Sequence, residues 1–340
     1  ALAGTLQRLA HWSETEGQRL APLMAARRAA GRVREGHGDL HLGNLLWLEG
    51  RARLFDAIEF DPALRWIDVA CDIAFVFMDL HAHGLAALAW RFLNAWLEHS
   101  GDFGAVARLP YDAVYRALVR AKVAALRAGQ GEGGGARPAA EAEARRYVQL
   151  AAQLAAPRQP WLALTMGVSG SGKSSQTQAL IERRALVRLR ADVERKRLFG
   201  LAPEAASAGV PGGIYGEATS DRLFSHLRDQ ARALLQAGQP VLVDATFIRR
   251  ARRAPFIALA GQLGLPWRLL AFDAPEAVLR ERVRRRAAQG GDASEADEAV
   301  LHRQLAQRQP LTANEASHAL TIDTRQPVDW AAWDSALPGA

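Results

Sequence analysis

Cysteine is almost absent from this sequence, with Cys71 alone in 340 residues. One cysteine excludes an internal disulfide framework and fits a reducing compartment. No uninterrupted apolar run approaches the ~20 residues of a membrane-spanning helix, and no signal peptide opens the chain. We therefore expect a soluble, cytoplasmic protein without membrane partners. The chain begins at Ala1 without an initiator methionine, so we interpret it as a piece of a longer protein.

Lysine is also scarce, with 3 lysines among 43 basic residues. The net charge of +7 is uneven, since residues 158–340 carry 25 basic and 19 acidic residues whereas residues 1–157 carry 18 and 17. The positive excess in the second half suits an anionic ligand. No basic stripe interleaved with aromatic residues accompanies it, so nucleic acid is not an expected partner.

The chain has one strong breaker segment and one boundary between domains. The glycine-rich run at 129–138 predicts a loop inside the first domain. An alanine-rich helix follows at 139–156, and Pro157 and Pro160 end it. We place the domain boundary there, giving domains at 1–157 and 158–340.

The second half alternates short apolar runs with amphipathic stretches. Strands are predicted at 161–166, 185–189, 241–244, 267–272 and 319–323. Helices are predicted from Lys173, at 220–237, at 249–263, from Asp273 and at 294–309. This alternation predicts an α/β fold, with a five-stranded parallel sheet covered by helices on both faces. The first half, apart from one hairpin, is predicted to be mainly helical.

A phosphate-binding loop follows the first of these strands. Residues 167–174 read GVSGSGKS, which matches G-x-x-x-x-G-K-S between a strand and a helix. Glycines let backbone N–H groups wrap a phosphate at a helix N-terminus, the lysine reaches the β/γ oxygens and the last serine binds Mg²⁺. The alternative is a glycine-rich turn without a ligand. The predicted ATP-binding residues are Gly167, Ser169, Gly170, Ser171, Gly172, Lys173, Ser174 and Ser175.

An aspartate at the end of the third strand completes the predicted magnesium site. Asp244 ends the run VLVD, where a Walker-B carboxylate would hold Mg²⁺. Together with Ser174 it forms the predicted metal pair. The alternative is an ordinary aspartate at a strand end.

The segment RADVERKRLFG at 190–200 resembles gluconate kinase, polynucleotide 5′-kinase and zeta-toxin-like kinases, which carry an aspartate after this strand. The resemblance implies that Asp192 accepts the proton of an acceptor hydroxyl, and that Arg190 and Arg195 hold an anionic substrate or the transferring phosphate. It also implies a lid in which Arg282, Arg285 or Arg286 closes onto the phosphates. The alternatives are a solvated helix start and a basic surface helix.

The region 161–315 resembles the P-loop half of a two-domain bacterial family in which an aminoglycoside-phosphotransferase-like domain comes first. The matching segments are GVSGSGKSS, RADVERKRLFG, VLVDATF and DASEADEAVLHRQ. No substrate follows from this resemblance.

The first domain contains HGDLHLGN at 37–44, followed by a hairpin that ends at Asp56. This resembles the catalytic loop of aminoglycoside and choline kinases. The resemblance implies that Asp39 orients or deprotonates the acceptor, that Asn44 and Asp56 bind Mg²⁺, with Glu59 as a further ligand, and that Asp72 braces the loop. Only 36 residues precede the loop, without a lysine or a glycine-rich loop, so we expect truncation rather than a degenerate scaffold. A rival interpretation makes His37, Asp39 and His41 metal ligands.

Three functions remain open from the sequence. The first is an ATP- and Mg²⁺-dependent kinase with a small hydroxylated acceptor as partner, using Asp192, Lys173 and Arg195. The second is a nucleotide-dependent switch or ATPase that regulates the kinase-like domain, and the third is a 5′-kinase of nucleic acid. A large AAA motor is not expected, since the second half is too short for the usual extra helical subdomain. The oligomeric state is left open.

Overall fold

The computed structural model describes residues 2–130, 136–207, 209–210, 213–289 and 293–339. The chain folds as two compact units, of which the first comprises Ala1–Leu93 and Gly104–Pro157. The second comprises Asn94–Phe103 and Arg158–Ala340. Within these described ranges, no helix is both long and apolar enough to cross a membrane.

The first unit is mainly helical, as predicted. Its helices are α1 (Leu2–Ala29), α2 (Val69–Ala82), the start of α3 (Ala86–Ser100), α4 (Leu109–Gln130) and α5 (Ala136–Leu154). Helix α4 packs on α2 and α5 around buried side chains such as Phe75, Met78, Ala117 and Tyr147. The bounds predicted for the loop at 129–138 were wrong, because α4 continues through Gln130 and α5 begins at Ala136; residues 131–135 lie outside the described residues.

Two short antiparallel pairs accompany these helices. Strand β1 (Val33–Glu35) pairs with β4 (Trp66–Asp68), and β2 (Leu45–Leu48) pairs with β3 (Arg51–Leu54) as the predicted hairpin. At the end of β4, the buried Asp68 Oδ2 accepts hydrogen bonds from Arg27 Nε at 2.7 Å and from Arg108 Nη1 at 2.7 Å. These charge-assisted hydrogen bonds compensate for the burial of three ionised groups.

The second unit contains the predicted five-stranded parallel sheet. Its strands are β5 (Leu162–Met166), β6 (Val187–Arg190), β7 (Val241–Asp244), β8 (Trp267–Asp273) and β9 (Ala319–Asp323), in the order β6-β7-β5-β8-β9. Every residue of the central strand β5 is buried. Since successive side chains of a strand point to opposite faces, both faces of the sheet are covered.

Helices connect these strands and bring the polar strand ends to one edge of the sheet. They are α6 (Lys173–Arg184), α7 (Ala191–Arg197), α8 (Glu217–Gln236), α9 (Arg250–Leu263), α10 (Glu276–Gln289), α11 (Glu298–Gln307) and α12 (Ala313–Ser317). In a parallel sheet all carboxyl ends lie on the same side, and ligands bind in the crevice outside them. The segments that follow β5, β6 and β7 are therefore brought together.

The free edge of β6 is covered by the end of α3, which belongs to the second unit. The Asn94 side chain donates from Nδ2 to the Leu186 carbonyl at 2.9 Å and accepts on Oδ1 from the Arg188 amide at 2.7 Å. One turn later, the Glu98 carboxylate pairs with Arg188 at 2.8 Å and Arg190 at 3.2 Å. The carboxamide of Asn94 thus makes hydrogen bonds to β6 that a neighbouring strand would otherwise make.

Several predicted boundaries were wrong for local reasons. Strand β6 begins at Val187 rather than at 185, because Ala185 has a φ of 54° and caps α6. Asp273 is the last residue of β8, and the following helix begins only at Glu276. Helix α11 begins at Glu298 rather than at 294, because the Asp297 side chain accepts the Val300 amide at 2.8 Å as an N-cap.

Candidate active site

The turn after β5 has the backbone geometry of a phosphate-binding loop. Gly167 and Gly170 have φ angles of 156° and 81°. A Cβ at Gly167 would lie 2.7 Å from the Phe272 carbonyl oxygen, and one at Gly170 would lie 2.6 Å from the Leu279 carbonyl oxygen. Both the backbone angle and the neighbouring backbone therefore require glycine.

Helix α6 starts directly at the end of this loop. Gly172, with a φ of 78°, is its N-cap, and Lys173 is its first residue. The Ser175 hydroxyl turns back to the Gly172 carbonyl at 3.0 Å. The N-terminal amides and the helix dipole favour an anion at this position.

The Lys173 ammonium is held over the loop by backbone carbonyls. Its Nζ donates to the Gly167 oxygen at 2.9 Å and to the Val168 oxygen at 3.0 Å, with the Ser171 hydroxyl at 3.4 Å. Burial lowers the pKa of this ammonium, while the carboxylates of Asp244 and Asp192 oppose that effect. A phosphate placed in the loop would meet a cation whose position is already fixed.

Ser174 and Asp244 lie side by side at the ends of α6 and β7. The Ser174 hydroxyl donates to Asp244 Oδ2 at 2.6 Å, and the Thr165 hydroxyl contacts Asp244 Oδ1 at 3.3 Å. Asp244 itself is buried. Two neighbouring protein oxygens suit Mg²⁺, which usually takes one or two protein ligands and completes its shell with phosphate oxygens and water. The predicted metal pair therefore fits this ion.

Asp192 lies in the first turn of α7, immediately after β6, and lines the same cavity as the loop. Among the described residues, no side chain or backbone group makes a hydrogen bond to its carboxylate. Lys173, Arg190 and Arg195 are close enough to interact with it electrostatically. The carboxylate is thus available to accept a proton from a ligand in the cavity.

The two arginines beside Asp192 are held differently. Arg190 is paired with Glu98 at 3.2 Å. Burial alone would lower the pKa of its guanidinium, but the carboxylates of Glu98, Asp244 and Asp192 raise it above the ordinary value. Arg195 donates from Nη1 to the Ile214 carbonyl at 3.1 Å and lies over the Tyr215 ring at 5.1 Å. Its buried Nε has no hydrogen-bond partner in the described structure, and burial lowers the pKa of this group.

Three arginines of α10 line the cavity beside the loop, and they differ in the partners that they have among the described residues. Arg282 donates to the Thr324 hydroxyl at 2.9 Å, to the Thr324 carbonyl at 2.6 Å and to the Gly170 carbonyl at 3.3 Å. Arg286 donates to the Ala296 carbonyl at 2.9 Å. Arg285 makes no hydrogen bond or ion pair with any described residue. Of the predicted phosphate ligands on this helix, Arg282 supports the loop and Arg285 remains available for a ligand.

These groups surround one cavity of about 860 Å³ in the second unit. Its lining includes nine basic side chains and four acidic ones, so an anionic ligand would be favoured there. The basic residues are Lys173, Arg190, Arg195, Arg249, Arg252, Arg282, Arg285, Arg286 and Arg303. Among the predicted ATP and metal residues of this half, Gly167 and Ser171 do not reach the cavity wall.

Sequence reasoning missed several residues of this cavity. Helix α11 contributes Val300, Arg303, Gln304 and Gln307, which follow the i, i+3, i+4, i+7 spacing of a single helix face. That spacing is visible in the sequence and could have identified the face. Arg249 and Arg252, where α9 begins, are paired with Glu217 at 2.9 Å and 2.8 Å. No local pattern distinguishes these two from other arginines of the chain.

The HGDLHLGN loop of the first unit is braced as its resemblance implied. The Asp72 carboxylate accepts the amides of His37 at 2.7 Å and Gly38 at 3.0 Å. Asn44 is buried and donates to the Asp39 carbonyl at 2.9 Å. A hydrogen bond with His41 and the nearby Arg120 and Arg116 lower the pKa of the Asp39 carboxyl. Asp39 and Asn44 are thus brought together.

The remaining candidates of this loop are more exposed. Asp56 has a φ of 60° and is exposed, as is Glu59. The rival interpretation of His37, Asp39 and His41 as metal ligands was wrong. In the part of the chain that the structure describes, no three or more histidine, cysteine, aspartate or glutamate side chains are grouped to hold a metal ion. His37 instead directs Nε2 to the Phe55 carbonyl at 2.8 Å.

Residues 162–311 match a family model described as an AAA domain. The chain is 32% identical over 226 residues to proteins of Mycobacterium bovis and Mycobacterium tuberculosis that are described as uncharacterized. These alignments cover 66% of this chain and 44% of the relatives. The chain therefore spans less than half the length of those relatives.

Solved structures with partial similarity include a gluconokinase and a sugar kinase. A gluconokinase from Sinorhizobium meliloti 1021 is 20% identical, with a TM-score of 0.36, covering 50% of this chain and 86% of its own. A sugar kinase from Janibacter sp. HTCC2649 is 23% identical, with a TM-score of 0.38, covering 49% and 87%. The sheet order, the glycine loop and the family match identify a P-loop domain in the second unit. The aminoglycoside-phosphotransferase-like character of the first unit stays a prediction.

Proposed function

We propose that the second unit is a kinase that transfers the γ-phosphate of ATP to a hydroxyl group of a small acceptor. The observation that carries this proposal is that three groups line the same cavity. These are the glycine loop with Lys173, the Ser174–Asp244 pair and the Asp192 carboxylate, which has no hydrogen-bond partner among the described residues. A carboxylate that only braced the fold would be expected to have partners.

Each group has a role that follows from its contacts. The loop amides and Lys173 would bind the β- and γ-phosphates, and Ser174 and Asp244 would hold Mg²⁺, which neutralises phosphate charge when bound. Asp192 would orient the acceptor hydroxyl and accept its proton, while Arg195 and Arg285 would stabilise negative charge on the transferring group. The guanidinium edges left free on these two arginines support that assignment.

A transfer screen with radiolabelled ATP tests the proposal. Sugars, aminoglycosides, nucleosides and oligonucleotides are offered as acceptors to the wild type, Lys173→Ala, Asp192→Asn and Asp229→Asn. Asp229 lies on the exposed side of α8 and serves as the matched control. We expect one acceptor class to be labelled, and Asp192→Asn to lower transfer by about 10²-fold or more without weakening ATP binding. Lys173→Ala should abolish transfer, and Asp229→Asn should leave it unchanged.

The second candidate is a nucleotide-dependent ATPase or switch, which the description of the matching family as an AAA domain favours. In that case ATP would be hydrolysed without any labelled acceptor, and Asp192→Asn would not change turnover. A 5′-kinase of nucleic acid would be recognised in the oligonucleotide arm by labelling that falls steeply with added salt. For the first unit, we propose that Asp39, Asn44 and Asp56 derive from a kinase catalytic loop, which the bracing of this loop by Asp72 supports.

A further inference from the structure

One peptide group of the phosphate loop is held at both ends by side chains from different elements. The carbonyl oxygen of Val168 accepts Lys173 Nζ at 3.0 Å. The amide N–H of the same peptide group, on Ser169, donates to Gln304 Oε1 at 2.7 Å. In a trans peptide these two atoms point in opposite directions, so Lys173 and Gln304 bind opposite ends of one rigid unit.

The backbone amide fixes the orientation of the Gln304 carboxamide. A backbone N–H can only donate, so the atom that faces Ser169 is the oxygen, and the two N–H donors of Nε2 point away from this contact. In the described ranges, these donors have no hydrogen-bond partner. Gln304 also lines the cavity that contains Lys173, Ser174 and Arg285. An oriented pair of donors therefore borders the place where the end of a bound polyphosphate would lie.

The element that carries Gln304 favours a ligand contact over a purely structural one. Gln304 lies on the cavity stripe of α11 with Val300, Arg303 and Gln307, and this helix packs on α10. The apolar side of α11 is separately anchored, since Leu301 is buried in a cluster with Val283 and Val168. Packing of the helix thus does not depend on Gln304.

We propose that Gln304 recognises the terminal phosphate of the bound nucleotide, donating from Nε2 while Oε1 stays on the Ser169 amide. This inference rests on the proposed function for nucleotide binding, but it does not require phosphoryl transfer. It assigns to the second unit a contact that distinguishes a nucleoside triphosphate from a diphosphate. The diphosphate lacks the group that Nε2 would touch.

Calorimetric titration of a non-hydrolysable ATP analogue and of ADP, each with magnesium, tests this contact. The proteins are the wild type, Gln304→Ala, Gln304→Glu and the matched control Gln307→Glu on the same helix face. We expect Gln304→Ala to lower the affinity for the ATP analogue about tenfold or more, because a hydrogen bond to a charged group is lost. The affinity for ADP should change by less than about twofold. Gln304→Glu keeps an acceptor for the Ser169 amide and adds negative charge. Its affinity for the triphosphate should therefore fall further than that of Gln307→Glu.

Two results would overturn the inference. An equal loss of affinity for both nucleotides would mean that Gln304 only supports the loop. A gain of affinity for both would mean that Gln304 occupies the binding site and must be displaced by the nucleotide. Because this experiment measures binding and not transfer, the wild-type titration distinguishes a failure of this inference from a failure of the proposed function. A wild type that shows the triphosphate preference but never labels an acceptor would reject the kinase and retain the contact, whereas a wild type that binds neither nucleotide would reject both.

Discussion

Arg253 and Glu315 form a fully buried ion pair, with Arg253 Nε 2.6 Å from Glu315 Oε1. The same guanidinium donates to the Phe247 carbonyl at 2.9 Å, and Glu315 also completes the capping box of α12 with Thr312. Phe247 has a φ of 43° and lies three residues beyond Asp244. The pair therefore fixes the backbone that follows Asp244, the predicted magnesium ligand.

Removal of one partner should be strongly destabilising. Arg253→Met leaves the Glu315 carboxylate buried without its cation, and we expect the free energy of unfolding to fall by about 3–5 kcal/mol. Denaturant unfolding measures this change. Arg250→Met, at an exposed position one turn earlier in the same helix, should change it by less than about 0.5 kcal/mol. A loss below about 1 kcal/mol in Arg253→Met would contradict this account.

Nucleotide binding should be accompanied by proton uptake at alkaline pH. Burial lowers the pKa of the Lys173 ammonium, so in the free protein its neutral form becomes populated at lower pH than for an exposed lysine. Phosphates in the loop favour the charged form, so binding raises this pKa and a proton enters from the buffer. Calorimetry at alkaline pH, below the ordinary lysine pKa of about 10.4, in buffers of different ionisation enthalpy measures the uptake. Lys173→Arg, which stays protonated, should show none; equal uptake in both proteins would assign the proton to another group.

A single methyl group in the phosphate loop should abolish nucleotide binding. In Gly170→Ala, the left-handed φ of 81° is unfavourable for alanine, and the new Cβ would lie 2.6 Å from the Leu279 carbonyl oxygen. The strain of about 1–2 kcal/mol in φ alone should deform the loop. Gly261→Ala, in α9 with open space around its Cβ, should instead stabilise the fold by about 0.5–1 kcal/mol. Thermal unfolding and ATP titration of both variants test this, and unchanged ATP affinity in Gly170→Ala would refute it.

The parts of the site that could be predicted are those whose chemistry is local in sequence. The glycine loop, Lys173 and Ser174 occupy eight consecutive positions, and Asp244 ends an apolar strand, so strand order alone brings them together. The hydrogen bond of Gln304 to the loop could not be predicted, because Gln304 is 135 residues from the amide that it contacts. Arg282 and Thr324 are 42 residues apart, so the sequence has no local signal for their hydrogen bond either.

Helix α7 was anticipated only as a solvated helix start, and the burial of its charged residues could not be predicted for a different reason. It is short, and three consecutive charged residues within it, Glu194, Arg195 and Lys196, are buried. Two of them have a charged or titratable partner from elsewhere in the unit, since Glu194 lies 3.1 Å from His226 and Lys196 lies 3.1 Å from Glu295. Arg195 instead donates from Nη1 to the Ile214 carbonyl at 3.1 Å. Hydrophobic periodicity predicts helices whose polar side faces water, and it has no signal for charges that are buried as pairs.

The hydrogen bonds of Asn94 along β6 bear on how this protein can be divided. A fragment that starts at Arg158 would contain all five strands but would lose the residues that occupy the outer margin of the sheet. The main-chain groups of Leu186 and Arg188 would then be free to pair with the same strand of another molecule, and such fragments would tend to self-associate. The second unit is therefore discontinuous in sequence, because it includes about two turns of α3 from the preceding half of the chain.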